Sequence, residues 1–307
     1  MKKELKILPG NLKRGEDRIL RLGLPKGSLE QTTIALFEKA GWRIKTTSRE
    51  LYPSIDDNEI EVIMLRAQEM ALYVMNQALD CGLTGRDWVE EQAAKVVEVC
   101  SLAYSKSGYR KVKWVLAVPK DSKIKSVKDL RGGLIATEAV NLTKRYLRKN
   151  HVTARVDFSW GATEAKSALL ADAIVEVTET GKSLEANNLR IVDVVMESET
   201  VFVANRAVWE KDPWRREKIE TIAMMLKGAM EAASRAGLKM NVPEKSLKSV
   251  LRILPALHTP TLSQLSDLGW YSLEVIVEEK TVRELIPALK KAGASGIIEY
   301  PLNKLIN

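Results

Sequence analysis

Short apolar runs that end on a small-residue turn and then open an amphipathic segment recur along most of this chain. That alternation restricts the fold more than any other feature. Ile19-Leu20-Arg21-Leu22-Gly23-Leu24 reads as a strand, Pro25-Lys26-Gly27-Ser28 breaks it, and 29–40 carries helical periodicity. A second strand over 61–65 is followed by a helix over 67–78, and Asp80-Cys81-Gly82-Leu83-Thr84-Gly85 forms a third that ends on glycine. Strands separated by crossover helices return to their sheet in the same direction, so the pattern predicts α/β architecture with parallel sheets.

The alternation restarts at Lys113-Trp114-Val115-Leu116-Ala117-Val118-Pro119, behind the polar stretch 105–111, where the chain is expected to cross into a second lobe. Strands at 134–137, 154–158 and 172–177 and helices over 141–149 and from Glu164 belong to that lobe. A strand at 200–204 and a long helix expected over 215–236 lead back to the first. Beyond 236 the order changes to strands at 238–242, 259–265, 270–278 and 296–300 with helices over 243–253 and 282–292. This is βαββαβ, the ferredoxin-like order. The expected division is 1–114 with 200–236, then 115–199, then 237–307.

Composition narrows the function classes. With 45% hydrophobic and 29% charged residues over 307 positions, the chain is globular and long enough for several domains, which excludes a disordered protein. Lys+Arg 48 against Asp+Glu 40 gives +8, a balance that suits anionic ligands as well as nucleic acid. Residues 241–307 hold eight basic and seven acidic side chains, so +7 stays upstream with the candidate phosphate turns. Cys81 and Cys100 form no Cys-x-x-Cys pair and are expected as buried thiols. His151 and His258, isolated in sequence, give little material for a zinc site or a histidine-activated nucleophile. Chemistry must rest on carboxylates, amides and cations. No apolar run approaches the ~18 residues of a membrane span, and Met1-Lys2-Lys3-Glu4-Leu5 has no apolar signal core behind its charges, so a cytoplasmic protein is expected.

The most informative stretch is Asp172-Ala173-Ile174-Val175-Glu176-Val177-Thr178-Glu179-Thr180-Gly181-Lys182-Ser183-Leu184. A buried strand ends on an acidic residue, and a small polar turn opens a helix. Unpaired N–H groups at such a turn can hold a phosphate, while Glu176 is placed to accept hydrogen bonds from ribose hydroxyls. An ordinary capped strand-to-helix loop fits the same pattern. Gly181-Lys182-Ser183 also resembles the tail of a Walker A loop, but position 176 is Glu rather than Gly, which excludes a P-loop. Lys26, with Gly27 and Ser28, is a second candidate phosphate turn, and Asp80, Thr84 and Gly85 a third. Arg66 follows a strand directly, where pairing with a surface carboxylate is its alternative role. Glu138 and Glu164 each stand just after a strand, where helix capping is the alternative.

The combination Leu24-Pro25-Lys26-Gly27-Ser28-Leu29, Leu83-Thr84-Gly85-Arg86-Asp87-Trp88, Ala136-Thr137-Glu138, Trp160-Gly161-Ala162-Thr163-Glu164 and the 172–181 stretch closely resembles ATP phosphoribosyltransferase, the first enzyme of histidine biosynthesis. Leu251-Arg252-Ile253-Leu254-Pro255-Ala256 through Lys291-Ala292-Gly293-Ala294-Ser295-Gly296-Ile297 resembles the regulatory domain of its long form. The resemblance runs from about residue 19 to the end. It implies two periplasmic-binding-protein-like lobes of type II, with the active site between them, and a ferredoxin-like C-terminal domain. It also implies Mg²⁺-dependent displacement of pyrophosphate from phosphoribosyl pyrophosphate by N1 of the ATP adenine, inhibition by histidine, and a homo-oligomer, dimer or hexamer. Ser28 stands where many members carry Arg, Glu176 where others carry Asp, and Glu69-Met70-Ala71 where Asp-Ile-Pro is usual.

The expected roles follow from the resemblance and the turn chemistry together. Lys26, Arg66 and Glu176 are the expected catalytic groups. Gly27, Ser28, Asp80, Thr84, Gly85, Glu138, Glu164, Thr178, Glu179, Thr180, Gly181, Lys182, Ser183 and Leu184 are the expected substrate contacts, with Mg²⁺ held mostly by substrate oxygens. Two other classes share parts of this pattern. A solute-binding protein could use the same lobes without catalysis, but its export signal is missing. A nucleic-acid module would present paired aromatics on the terminal sheet, whereas Trp270, Tyr271 and Tyr300 lie on a nearly neutral segment. Neither nucleic acid nor a membrane is expected as a partner.

Overall fold

The computed structural model describes residues 18–47, 50–104, 111–166, 170–255 and 260–306. Met1 to Leu5, His258 and the expected start of a strand at 259 lie outside them. The chain opens with β1 (Leu20–Lys26), α1 (Glu30–Ala40), β2 (Ile44–Lys45), β3 (Ser54–Ile55), β4 (Ile60–Arg66), α2 (Ala67–Met75), β5 (Cys81–Gly85), α3 (Arg86–Glu91) and β6 (Val96–Leu102). It continues with β7 (Val112–Pro119), β8 (Leu134–Thr137), α4 (Val140–Lys149), β9 (Arg155–Phe158), α5 (Thr163–Lys166), β10 (Ala173–Thr178), α6 (Lys182–Ala186) and β11 (Leu189–Ser198). Then come β12 (Thr200–Asn205), α7 (Arg206–Lys211) and α8 (Pro213–Ala232).

Two five-stranded sheets result, ordered β4-β1-β5-β12-β6 and β9-β8-β10-β7-β11. Each has the same plan. Its first three strands are parallel, and the strand that arrives from the other lobe is inserted antiparallel beside the third. The sheets are therefore mixed, where the sequence pattern predicts parallel ones. The difference arises because β7 and β12 enter their sheets directly from the opposite lobe, with no crossover helix to reverse them. The paired strand orders and the two crossings make this the type II periplasmic-binding-protein-like architecture.

The third unit comprises β13 (Arg235–Pro243), α9 (Glu244–Ile253), β14 (Thr261–Gln264), β15 (Trp270–Glu278), α10 (Glu279–Lys291) and β16 (Ser295–Pro301). Its antiparallel sheet runs β14-β15-β13-β16, a ferredoxin-like order. Leu238, Met240 and Val242 alternate into a core with Val250 of α9 and Leu285 and Leu289 of α10. That alternation begins at Ala236, which is why α8 stops at Ala232 instead of running to 236. The expected boundaries at 114/115 and 236/237 accordingly fall inside β7 and β13, whose ladders begin at Val112 and Arg235.

Within the first lobe, α8 starts on Pro213 with the Asp212 side chain accepting the Arg215 N–H, and it buries Ile219, Ile222, Leu226 and Ala229. These meet Leu36 and Phe37 of α1 and the leucines of β1 in one core. A fully apolar stripe of this kind is what the 3.6-residue period supplies. Cys81 is buried and Cys100 half-buried, both as free thiols. Among the described residues no helix is long and apolar enough to cross a membrane.

Candidate active site

Parallel strands end together, and their C-terminal ends are where α/β sheets receive ligands. Here β1 and β4 pair residue by residue up to Lys26 opposite Arg66, so two cations stand side by side where those strands stop. From the second lobe, β8 ends just before Glu138 and β10 ends on Thr178. All four residues, with Trp88 and Glu179, line one cleft of about 790 Å³ between the lobes. Gly27, Ser28 and Gly85 also line it. The Lys26 ammonium donates to the Glu50 carbonyl at 2.8 Å, which fixes the side chain along the cleft wall. Arg66 is exposed and makes no ion pair among the described residues.

The cleft is also lined where the chain crosses between the lobes, by Asp87, Trp88, Trp114 and Glu199. Asp87, on α3 of the first lobe, accepts a 2.5 Å hydrogen bond from the indole N–H of Trp114 on β7 of the second. Burial raises the Asp87 carboxyl above its usual range, and the Trp114 bond partly offsets this. Trp88 packs edge-on against Trp114, ring centres 5.7 Å apart. Glu199, between β11 and β12, binds Arg86 at 2.6 Å. Burial alone would raise the Glu199 carboxyl, but Arg86, Ser101 and Lys111 hold it below the usual range. In the sequence Asp87 and Trp88 stand out only as part of the 83–88 motif, and nothing there marks Trp114 or Glu199 as site residues. A buried acid can be located only once its tryptophan partner is known.

On the second lobe, Glu176 is half-buried, and burial raises its carboxyl, reinforced by the nearby Glu164 and Glu138 carboxylates. Its Oε1 accepts the Val177 N–H at 3.0 Å. Ser183 donates to Glu164 at 2.8 Å, and the Thr178 hydroxyl accepts the Gly181 N–H at 2.8 Å. Gly181 has φ 79°, a conformation open to glycine, and this lets the turn fold back on Thr178. Thr180, Lys182 and Ser183 are exposed, and they do not line the cleft, which takes Val177, Thr178 and Glu179 from this segment. Glu164 and Glu176 do not line the cleft either, and Glu176 lies within electrostatic reach of both Glu164 and the cleft residue Glu138.

Three expected contacts have structural roles instead. Asp80 is 1% exposed at the start of β5, the sheet end opposite the cleft, where it binds the Arg21 main chain and the Arg21 and Arg215 guanidiniums. Thr84 is buried and donates to the Ala67 carbonyl at 2.7 Å, tying β5 to the start of α2. Leu184 is buried in a small core under α6, because only an apolar anchor holds so short a helix on the sheet.

The family models match in two blocks. Residues 66–238 match the model described as ATP phosphoribosyltransferase, and residues 232–304 match the C-terminal domain of the same family. The chain belongs to the ATP phosphoribosyltransferase family. It is of the long form, because the C-terminal domain is present. The ATP phosphoribosyltransferase of Thermodesulfovibrio yellowstonii is 57% identical over 95% of this chain and 99% of its own length. That of Chlorobium phaeovibrioides is 59% identical over the same shares. Among solved structures, the ATP phosphoribosyl transferase (HisG:HisZ) complex from Thermotoga maritima aligns with 26% identity over 68% of this chain and 99% of that one, at a TM-score of 0.57. Membership in the ATP phosphoribosyltransferase family makes the chain a transferase of histidine biosynthesis.

Proposed function

We propose that the interlobe cleft joins the adenine N1 of ATP to the anomeric carbon of phosphoribosyl pyrophosphate, releasing pyrophosphate. The observation that carries this reading is the pairing of Lys26 and Arg66 on one wall with the Thr178–Glu179 turn on the other, across a cleft large enough for two phosphorylated substrates. Adenine N1 owns a lone pair, so the site needs alignment and charge balance rather than a strong base. Lys26 and Arg66 hold phosphate oxygens. The segment 176–184 takes the ribose 5-phosphate on its main-chain N–H groups, Lys182 and hydroxyls when the lobes close, and Glu176 binds the ribose diol.

Among the described residues no three acidic, histidine or cysteine side chains converge to hold a metal. The hard carboxylate oxygens of Glu138 and Glu179 at the cleft fit Mg²⁺ that arrives on substrate oxygens. Bound there, Mg²⁺ would neutralise charge on the departing pyrophosphate. Histidine is read as an inhibitor held by the 235–301 domain within a homo-oligomer, dimer or hexamer, where it favours a less active arrangement.

Glu176→Ala should lower kcat/KM for phosphoribosyl pyrophosphate while sparing the overall fold, measured by circular dichroism. A wild-type kcat/KM would overturn the diol role. A chain ended after Ser234, ahead of β13, should keep part of its activity and lose its response to histidine. Inhibition retained in that chain would overturn the placement.

A further inference from the structure

Trp160 is 87% exposed, the most solvent-facing of the large apolar side chains described here. Large aromatics normally bury most of their surface. Its backbone is nevertheless pinned. Ser159 beneath it is fully buried, its N–H bonded to Thr137 O at 2.9 Å and its hydroxyl bonded to Thr163 Oγ1 at 3.0 Å and Lys166 Nζ at 2.6 Å. Directly after the ring, Gly161 and Ala162 both take positive φ, 68° and 48°. Alanine rarely adopts that conformation, and such strain persists where the surroundings enforce it, which is often at functional sites. Phe158 then props the indole edge-on, ring centres 4.8 Å apart and planes at 82°.

The place of this shelf in the fold gives it a purpose. It caps β9, next to β8, whose end carries the cleft residue Glu138, and a Cβ on Gly161 would lie 4.0 Å from the Glu138 carboxylate. In the sheet order β10-β8-β9 the shelf stands two strand spacings, ~10 Å, from the end of β10. That separation matches the span of a ribose 5-phosphate plus a ring attached at its anomeric carbon. We infer that Trp160 is the stacking platform for the purine ring of the nucleotide substrate, with Phe158 fixing its angle. The inference rests on the proposed transfer reaction and deepens it, because it assigns the base to the second lobe and the leaving pyrophosphate to the Lys26–Arg66 wall.

The test is initial-rate kinetics of the full chain carrying Trp160→Ala, Trp160→Leu or Trp160→Phe. Loss of base stacking should raise KM for ATP roughly ten-fold in the Ala variant, with KM for phosphoribosyl pyrophosphate within two-fold of wild type. Phe should restore most of the loss, and Leu, which is apolar but has no π face, should not. An unchanged KM for ATP, an equal rise in both KM values, or full rescue by Leu overturns the assignment. So does a changed sedimentation coefficient with unaltered KM values, which would make the ring a subunit contact. Equilibrium dialysis of ATP against the wild type and the Ala variant separates the two levels. Weaker ATP binding in the variant supports the platform even if the wild type releases no pyrophosphate, and equal binding overturns it whatever the reaction.

Discussion

Replacing Asp80 separates a structural acid from a substrate ligand. Its carboxylate accepts the Arg21 N–H at 2.8 Å and the Arg21 guanidinium at 2.8 Å, and lies 3.4 Å from Arg215 Nε. It is 1% exposed, whereas the two guanidiniums are about 30% exposed and can regain water. Truncating one partner of a fully buried pair costs ~3–5 kcal/mol. The exposure of the arginines lowers that, so Asp80→Ala should cost about 2–4 kcal/mol. Asp80→Asn keeps one acceptor for the Arg21 N–H and should cost roughly half as much. With m near ~3 kcal/mol per molar urea, the Ala variant should lose about 1 M in its unfolding midpoint. Circular dichroism in urea reads this, with KM for phosphoribosyl pyrophosphate measured in parallel. Asp80 lies about 16 Å along β5 from Gly85 at the cleft, so KM should hold. A ten-fold rise in KM with an unmoved midpoint would return Asp80 to the binding site.

Other consequences can be checked separately. Glu176 is raised in the folded state, so the fold holds a proton that the unfolded chain releases near the ordinary glutamate value of ~4.3. Wild type should therefore lose stability relative to Glu176→Gln as pH rises above that value, with no gap below it; Tm from pH 4 to 8 would show this, and a gap that widens toward acid would contradict it. Glu91 of α3 reaches across the lobes to accept the N–H groups of Asn141 and Leu142 at 2.9 and 2.7 Å, where α4 has no side-chain cap of its own. Glu91→Ala should cost ~1 kcal/mol, and a neutral effect in urea unfolding would argue against a cross-lobe cap. The tail after β16 returns to α8, with Leu305 N bonded to Gly228 O and a Cβ on Gly228 placed 2.9 Å from Ile306. Gly228→Val should cost about 1–3 kcal/mol and speed amide exchange over 302–306; unchanged exchange there would show that the tail tolerates displacement.

Most of the fold was legible where one periodicity held. The β1–α1, β4–α2 and β10–α6 units follow from apolar runs that break at small residues, and the βαββαβ order follows from the switch to period two after α8. β11 was not legible, since register shifts between Ile191 and Asp193 and between Val194 and Met196 destroy its alternation. β6 escaped for a related reason, with an irregular pairing opposite Phe202 and Val203 and charge at Glu98. In the site, Lys26, Arg66 and Glu138 were legible because a strand end fixes where the next residue faces. Asp80 resembles a strand-end ligand in sequence because a strand start and a strand end carry the same residue types, and the structure places it at the start of β5. Its partners Arg21 and Arg215 lie 59 and 135 residues away in sequence and meet it only after folding.

If one cleft brings adenine N1 to the anomeric carbon, the product itself carries the proof. Incubating the intact chain with ATP, phosphoribosyl pyrophosphate and Mg²⁺, then locating the new glycosidic bond by NMR, should show ribose attached at N1 with one pyrophosphate released per bond formed. ATP recovered unmodified, or ribose attached at any other atom, would contradict it.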